Sequence, residues 1–238
     1  MPFRVLLWTT LFSIAMALME SAVVVYLRAL FYESGFTFPL VPMEAHLATV
    51  EVLREAATIF MLVGIGVLAG RSAAQRFAWF IYCFAIWDIF YYVWLWVFLN
   101  WPAGLLDWDI LFLIPFPWIG PVITPLIVTL VMISLAFLML RADAQGKKAM
   151  LSGREWGIFT LGSLVVILSW VWDYGKAVLN EHGWERILTL SGEGEVFTQT
   201  PEYLPEQFAW GIFVVGIGVY LVGLGHYTWR NNRAIMRS

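Results

Sequence analysis

Glu51-Val-Leu-Arg54-Glu55 places three ionised groups near the start of a stretch whose continuation, to Gly70, carries no further charge. Ionised groups inside an apolar helix need partners, a cavity or a function. Glu20, Asp88 and Asp173 pose the same problem in three other apolar stretches. A carboxylate-rich group of this kind can take up a proton, hold a cation or bind a small polar ligand. Carboxylates alone suit Mg²⁺, Ca²⁺ or Mn²⁺ better than zinc or copper. The candidate metal set is Glu20, Glu51, Glu55 and Asp88, with His46 about one turn outside Glu51. The wider candidate ligand set is Glu20, Glu51, Arg54, Glu55, Asp88, Tyr91, Tyr92 and Asp173.

Several chemistries are absent from the pattern. Glu51-x-x-x-Glu55 lacks the Glu-x-x-His spacing of di-iron bundles. No Ser-His or Cys-His nucleophilic pair, phosphate-binding glycine loop or nucleic-acid signature is present. The single Cys83 excludes an intramolecular disulfide and a thiolate cluster. Paired Tyr91 and Tyr92 and fourteen Trp residues leave room for a quinone ring or a lipid tail, or for an aromatic belt at the membrane surface.

The elements that must position these groups are membrane spans. Only 13% of the 238 residues are charged, about half the usual share of a soluble domain, and 61% are hydrophobic. Six segments approach the spanning length of roughly 20 residues: about 5–31, 45–70, 77–100, 119–141, 156–179 and 207–229. The first resembles a signal peptide but is long enough to span, and reads as an uncleaved helix. The expected fold is therefore an all-α integral membrane bundle of six transmembrane helices, one polytopic domain over residues 1–238.

Loop charge sets the expected orientation. Arg4, Arg71, Arg76, Arg141, Lys147, Lys148, Arg154, Arg230, Arg233 and Arg237 fall on one side, and the other carries Glu33, Glu44, Asp107, Asp109, Glu181, Glu185, Glu193, Glu195, Glu202 and Glu206. The positive-inside rule then makes both termini cytoplasmic, in a membrane of the bacterial inner type. With that orientation Glu20, Glu51, Arg54, Glu55, Asp88 and Asp173, from four helices, reach similar depths in the outer half of the bilayer at about 1.5 Å per residue. Asp88 lies three and four residues before Tyr91 and Tyr92, within reach of either hydroxyl, and Asp173 stands one turn before Lys176. Arg28 and Lys176 are free to snorkel outward, which leaves Arg54 as the one deep cation against five acids.

Two connections are distinctive. Pro115, Pro117, Pro121 and Pro125 forbid a regular helix within an intensely apolar stretch, so an interfacial or re-entrant segment is expected before the fourth helix. Ile187–Leu190 and Val196–Gln199 flank Ser-Gly-Glu-Gly-Glu, which reads as a small external hairpin or loop between the fifth and sixth helices. Gly211, Gly218 and Gly225 recur every seven residues in the sixth helix, with Gly216 and Gly223 beside them, and Gly66-x-x-x-Gly70 marks the second. Such faces let helices approach closely, within the chain or in a homo-oligomer.

Three functions fit these features. The first is a membrane protein handling a cation, a proton or a small polar ligand at the buried carboxylates. The second is an accessory subunit of a larger membrane complex, respiratory or otherwise redox, meeting its partners through Trp-rich faces. The third is an enzyme acting on a lipid or quinone with Glu51, Glu55 or Asp88 as acid or base. Metal and quinone are the cofactor classes left open; the bilayer is the certain partner and nucleic acid is not one.

Overall fold

The computed structural model describes residues 3–32, 35–39, 41, 44–114, 117–193 and 203–233. Six long helices and one short hairpin make up the fold: α1 (Phe3–Phe31), α2 (Ala45–Ala69), α3 (Ala73–Leu99), β1 (Trp108–Phe112), β2 (Trp118–Pro121), α4 (Ile123–Ala144), α5 (Gly153–Glu193) and α6 (Trp210–Arg233). Each helix contains a stretch long and apolar enough to cross a membrane. The surface agrees: Phe60 and Leu68 are 77% and 84% exposed, positions that water would penalise and lipid tails accept.

Polar residues within the spans satisfy themselves locally. The hydroxyls of Thr9, Ser13, Thr129, Ser163 and Thr228 each donate to a carbonyl three or four residues back in their own helix. In hydrocarbon this removes a cost that no water can relieve.

α3 is central, packing against α1, α2 and α4, while α5 and α6 pair with each other. Gly66 and Gly70 bring α2 onto α3, because a Cβ on Gly66 would stand 2.8 Å from the Arg76 carbonyl oxygen. α3 begins at Ser72, whose hydroxyl accepts the Gln75 N–H, and ends where Asn100 turns left-handed at φ 51°. Asp143 then ties the start of α3 to the end of α4 through Ser72 at 3.1 Å and Gln75 at 2.5 Å.

The loops depart from expectation. A strand pair lies between α3 and α4, so the described residues are helical with one small antiparallel sheet. Trp108 pairs with Pro121, Asp109 with Gly120, Ile110 with Ile119 and Phe112 with Trp118, the register breaking at Leu111. Prolines find compatible places here: Pro121 closes β2, and Pro125 falls in the first turn of α4, where no intrahelical N–H is needed. Pro115 lies outside the described residues. Of the hairpin expected after α5, Ile187–Leu190 continue α5 as helix, because α5 runs to Glu193, and Val196–Gln199 lie outside the described residues.

β2 is fixed to α5 by close packing. Gly120 sits where a Cβ would approach Trp170 to 3.0 Å and Phe208 to 3.1 Å, and Trp118 stacks on Trp170 with centroids 5.6 Å apart. Trp170 in turn donates its indole N–H to Thr124 at 2.8 Å, joining α5 to the start of α4. The hairpin thereby becomes a fixed cover over one end of the bundle.

Candidate functional site

Beneath that cover lies a cavity of about 180 Å³, bounded by α1, α2, α3, the hairpin, Tyr174 of α5 and Tyr203. Its wall contains Glu20, Glu51, Arg54, Glu55, Asp88, Tyr91 and Tyr92. Seven of the eight residues singled out as ligand candidates therefore border one space. The helical stripes explain this, since residues three and four apart share a face and α1, α2 and α3 each turn that face toward the same centre.

The charges within it are unequally partnered. Arg54 gives Nε and one amino group to the two oxygens of Glu51, at 2.9 and 2.5 Å, and its other amino group forms an ion pair with Glu20. The fork to Glu51 fixes the plane of the guanidinium. Glu20 also accepts from the Thr58 hydroxyl at 3.3 Å. Arg54 thus bridges α1 and α2, two helices that otherwise meet mainly through α3.

A second cation, Arg28, is buried and does not snorkel. Its guanidinium lies 3.9 Å from the Trp101 ring centre and 4.5 Å from that of Phe36, with Asp109 at 3.7 Å. Asp109 is not a solvated external acid as its loop position suggests; it is 3% exposed and accepts the Tyr92 hydroxyl at 3.2 Å. Burial raises the Asp109 carboxyl to about 6, with Arg28 and the Tyr92 hydroxyl opposing that rise. Strand alternation turns Asp109 inward while Trp108 faces elsewhere, and no helical pattern in the sequence carries that information.

Two carboxylates remain without a cation bonded to them. Glu55 accepts the Leu113 backbone N–H at 3.0 Å, a bond from the hairpin. Asp88 has neither a hydrogen bond nor a cation among the described residues, the nearby charge being Asp109. Neither expected tyrosine hydroxyl bonds it among the described residues: that of Tyr92 serves Asp109.

Two other candidates stand apart. Asp173 lies outside the cavity wall; it accepts Tyr203 at 2.9 Å and the Glu206 N–H at 3.2 Å, and pairs with Lys176 at 3.3 Å. Asp173 positions Tyr203, which does border the cavity. Burial, and next the carboxylate that its hydroxyl donates to, raise the Tyr203 hydroxyl well above the ordinary tyrosine value. His46 is exposed on the outer turn of α2 and does not border the cavity. Among the described residues no three His, Cys, Asp or Glu side chains are grouped closely enough to hold a metal ion.

A separate ion cluster closes the opposite end. Ser152 and Glu155 form a capping box on α5, Ser152 N–H to Glu155 at 2.7 Å. Fully buried Glu155 also binds Arg230 at 2.8 Å and His226 at 3.0 Å, while Arg230 reaches the carbonyls of Lys148 and Met150. Every group here has a protein partner, so its role is to fasten α6 to α5.

No family model, curated protein or solved structure matches this chain. The chain is a polytopic helical membrane protein with charged residues buried inside it.

Proposed function

We propose that this protein binds a small cationic ligand in the cavity beneath the hairpin. The observation that carries the reading is the charge balance of the wall. Five carboxylates, Glu20, Glu51, Glu55, Asp88 and Asp109, face two arginines, and both arginines are committed to other members of the set. Glu55 and Asp88 are the pair left over. A low-dielectric site with uncompensated carboxylates favours whatever positive charge can enter, with a proton as the competitor.

The loop asymmetry supports an orientation in which both termini are cytoplasmic and the cavity opens toward the outer face of a bacterial-type inner membrane. In that orientation the Pro-rich hairpin is an interfacial cover, sheltered by protein on its cavity side. Ligand would then arrive from outside the cell.

Purified protein in mild detergent, heated with a panel of inorganic and alkylammonium cations, tests the reading. A bound cation raises the unfolding temperature as its concentration passes the dissociation constant. The expected result is a saturable rise in the parent protein that is lost in the Glu55→Gln/Asp88→Asn double variant. A panel that produces no rise depending on these two carboxylates overturns the reading.

A further inference from the structure

Size, wall chemistry and donor set together restrict which cation the cavity suits. Its volume of about 180 Å³ has room for on the order of ten water-sized groups, far more than one metal ion occupies. Mg²⁺ demands about six oxygens at close to 2 Å, and Ca²⁺ takes more. Glu55 and Asp88 come from different helices, and no metal-holding group of three such side chains exists among the described residues. The surface around them is aromatic: Trp87, Tyr91 and Phe112 stand in the same wall.

The cavity already holds one organic cation in this manner. The Arg28 guanidinium lies over Trp101 and Phe36 and is balanced by Asp109; Arg28, Phe36 and Asp109 border the cavity. Aromatic faces attract a diffuse organic cation and gain strength when it is desolvated. Trp87 is more than nine-tenths buried and lends its ring to this wall.

We infer that the cavity takes an organic ammonium of about ten non-hydrogen atoms, its charged nitrogen drawn to the carboxylates that carry no cation and its apolar part against the aromatic wall. This rests on the cation-binding reading and narrows it. Glu55 is itself tied to the Leu113 N–H, so an ammonium drawn to Glu55 also reports to the hairpin.

The probe is phenylethanolamine, which joins an ammonium to an aromatic ring within that size. Its neutral counterpart is styrene glycol, in which a hydroxyl replaces the amine. Binding is read by tryptophan fluorescence and by unfolding temperature, on the full chain in detergent. The expected result is saturable binding of the amine, at least tenfold weaker binding of the glycol, and at least tenfold loss in Asp88→Asn and in Glu55→Gln. If Na⁺, Mg²⁺ or Ca²⁺ stabilises the protein through these carboxylates and the amine does not, the ammonium inference falls while cation binding stands. If amine and glycol bind alike, or nothing binds, both fall. The ligand series needs only the parent protein, so it decides the matter even where a variant fails to fold.

Discussion

At the scale of single residues, the site is a set of carboxylates with unequal debts. Asp109 shows the consequence most directly. Its carboxyl ionises near 6 in the fold and near 3.8 in an unfolded chain, because burial disfavours the charged form. A raised acid costs stability once ionised: the penalty is absent below about pH 4, grows up to about pH 6, and then stays constant at about 3 kcal/mol. Unfolding of the purified protein across that range is expected to show the loss, and Asp109→Asn is expected to remove it. Arg28→Gln takes away an opposing charge and moves the midpoint above 6; an unmoved midpoint would mean that Arg28 does not act on Asp109. For Arg54, substitution by Gln strands Glu20 and Glu51 and is expected to cost about 3–5 kcal/mol, with Glu20→Gln/Glu51→Gln added to Arg54→Gln restoring part of it. Denaturant titration of the three proteins measures this. Glu20, Glu51, Arg54, Glu55, Asp88, Tyr91 and Tyr92 were legible in the sequence because an ionised or phenolic group in a span stands out against its neighbours. Asp109 and Arg28 were not, since a loop acid and a helix-end arginine look solvated until a strand turns one inward and two rings enclose the other.

At the scale of elements, helices could be read and their contacts could not. The six spans fall within a few residues of their expected bounds, because length and hydropathy alone define them. The glycines of α6 show where such reading stops. Gly211, Gly218 and Gly225 repeat every seven residues, yet a Cβ on any of them meets nothing within 4 Å. Gly216 and Gly223, also seven apart, lie about 200° round the helix from Gly218 and Gly225. A Cβ on Gly216 would stand 2.7 Å from Val166 Cγ2, and one on Gly223 2.9 Å from Phe159 Cζ. Both series have the same period, so only the partner helix distinguishes them. Gly216→Ala and Gly223→Ala are each expected to destabilise by about 1–3 kcal/mol through overpacking against α5. Gly218→Ala is expected to be neutral or to stabilise by up to about 1 kcal/mol. Thermal unfolding in detergent ranks the three, and equal effects would mean that α5 and α6 do not meet along this face. Likewise, the strand formers Ile187–Leu190 continue α5 as helix, whereas a hairpin stands at 108–121, where Asp109, Trp118 and Gly120 have α3 and α5 to pack against.

At the scale of the whole molecule, the two ends of the bundle are chemically unlike. One end is fastened by fully partnered contacts, Glu155 with Arg230 and His226, and Asp143 with Ser72 and Gln75. The other encloses the cavity and leaves two carboxylates without cations. A protein that binds a ligand from one side needs this division, because the rigid end holds the helices while the open end accepts charge. The basic residues clustered around the fastened end predict that the cavity end faces out, and single-cysteine labelling tests it. Cys83 is fully buried, and replacing it by Ala removes the remaining background. Ala103 is exposed beside the hairpin, and Gln145 is exposed just beyond α4 at the fastened end. With Cys83→Ala, a membrane-impermeant thiol reagent is expected to label Ala103→Cys in intact cells and Gln145→Cys only after the membrane is opened. The reverse pattern would turn the molecule over and direct the cavity to the cytoplasm, where the same carboxylates would meet a different pool of amines.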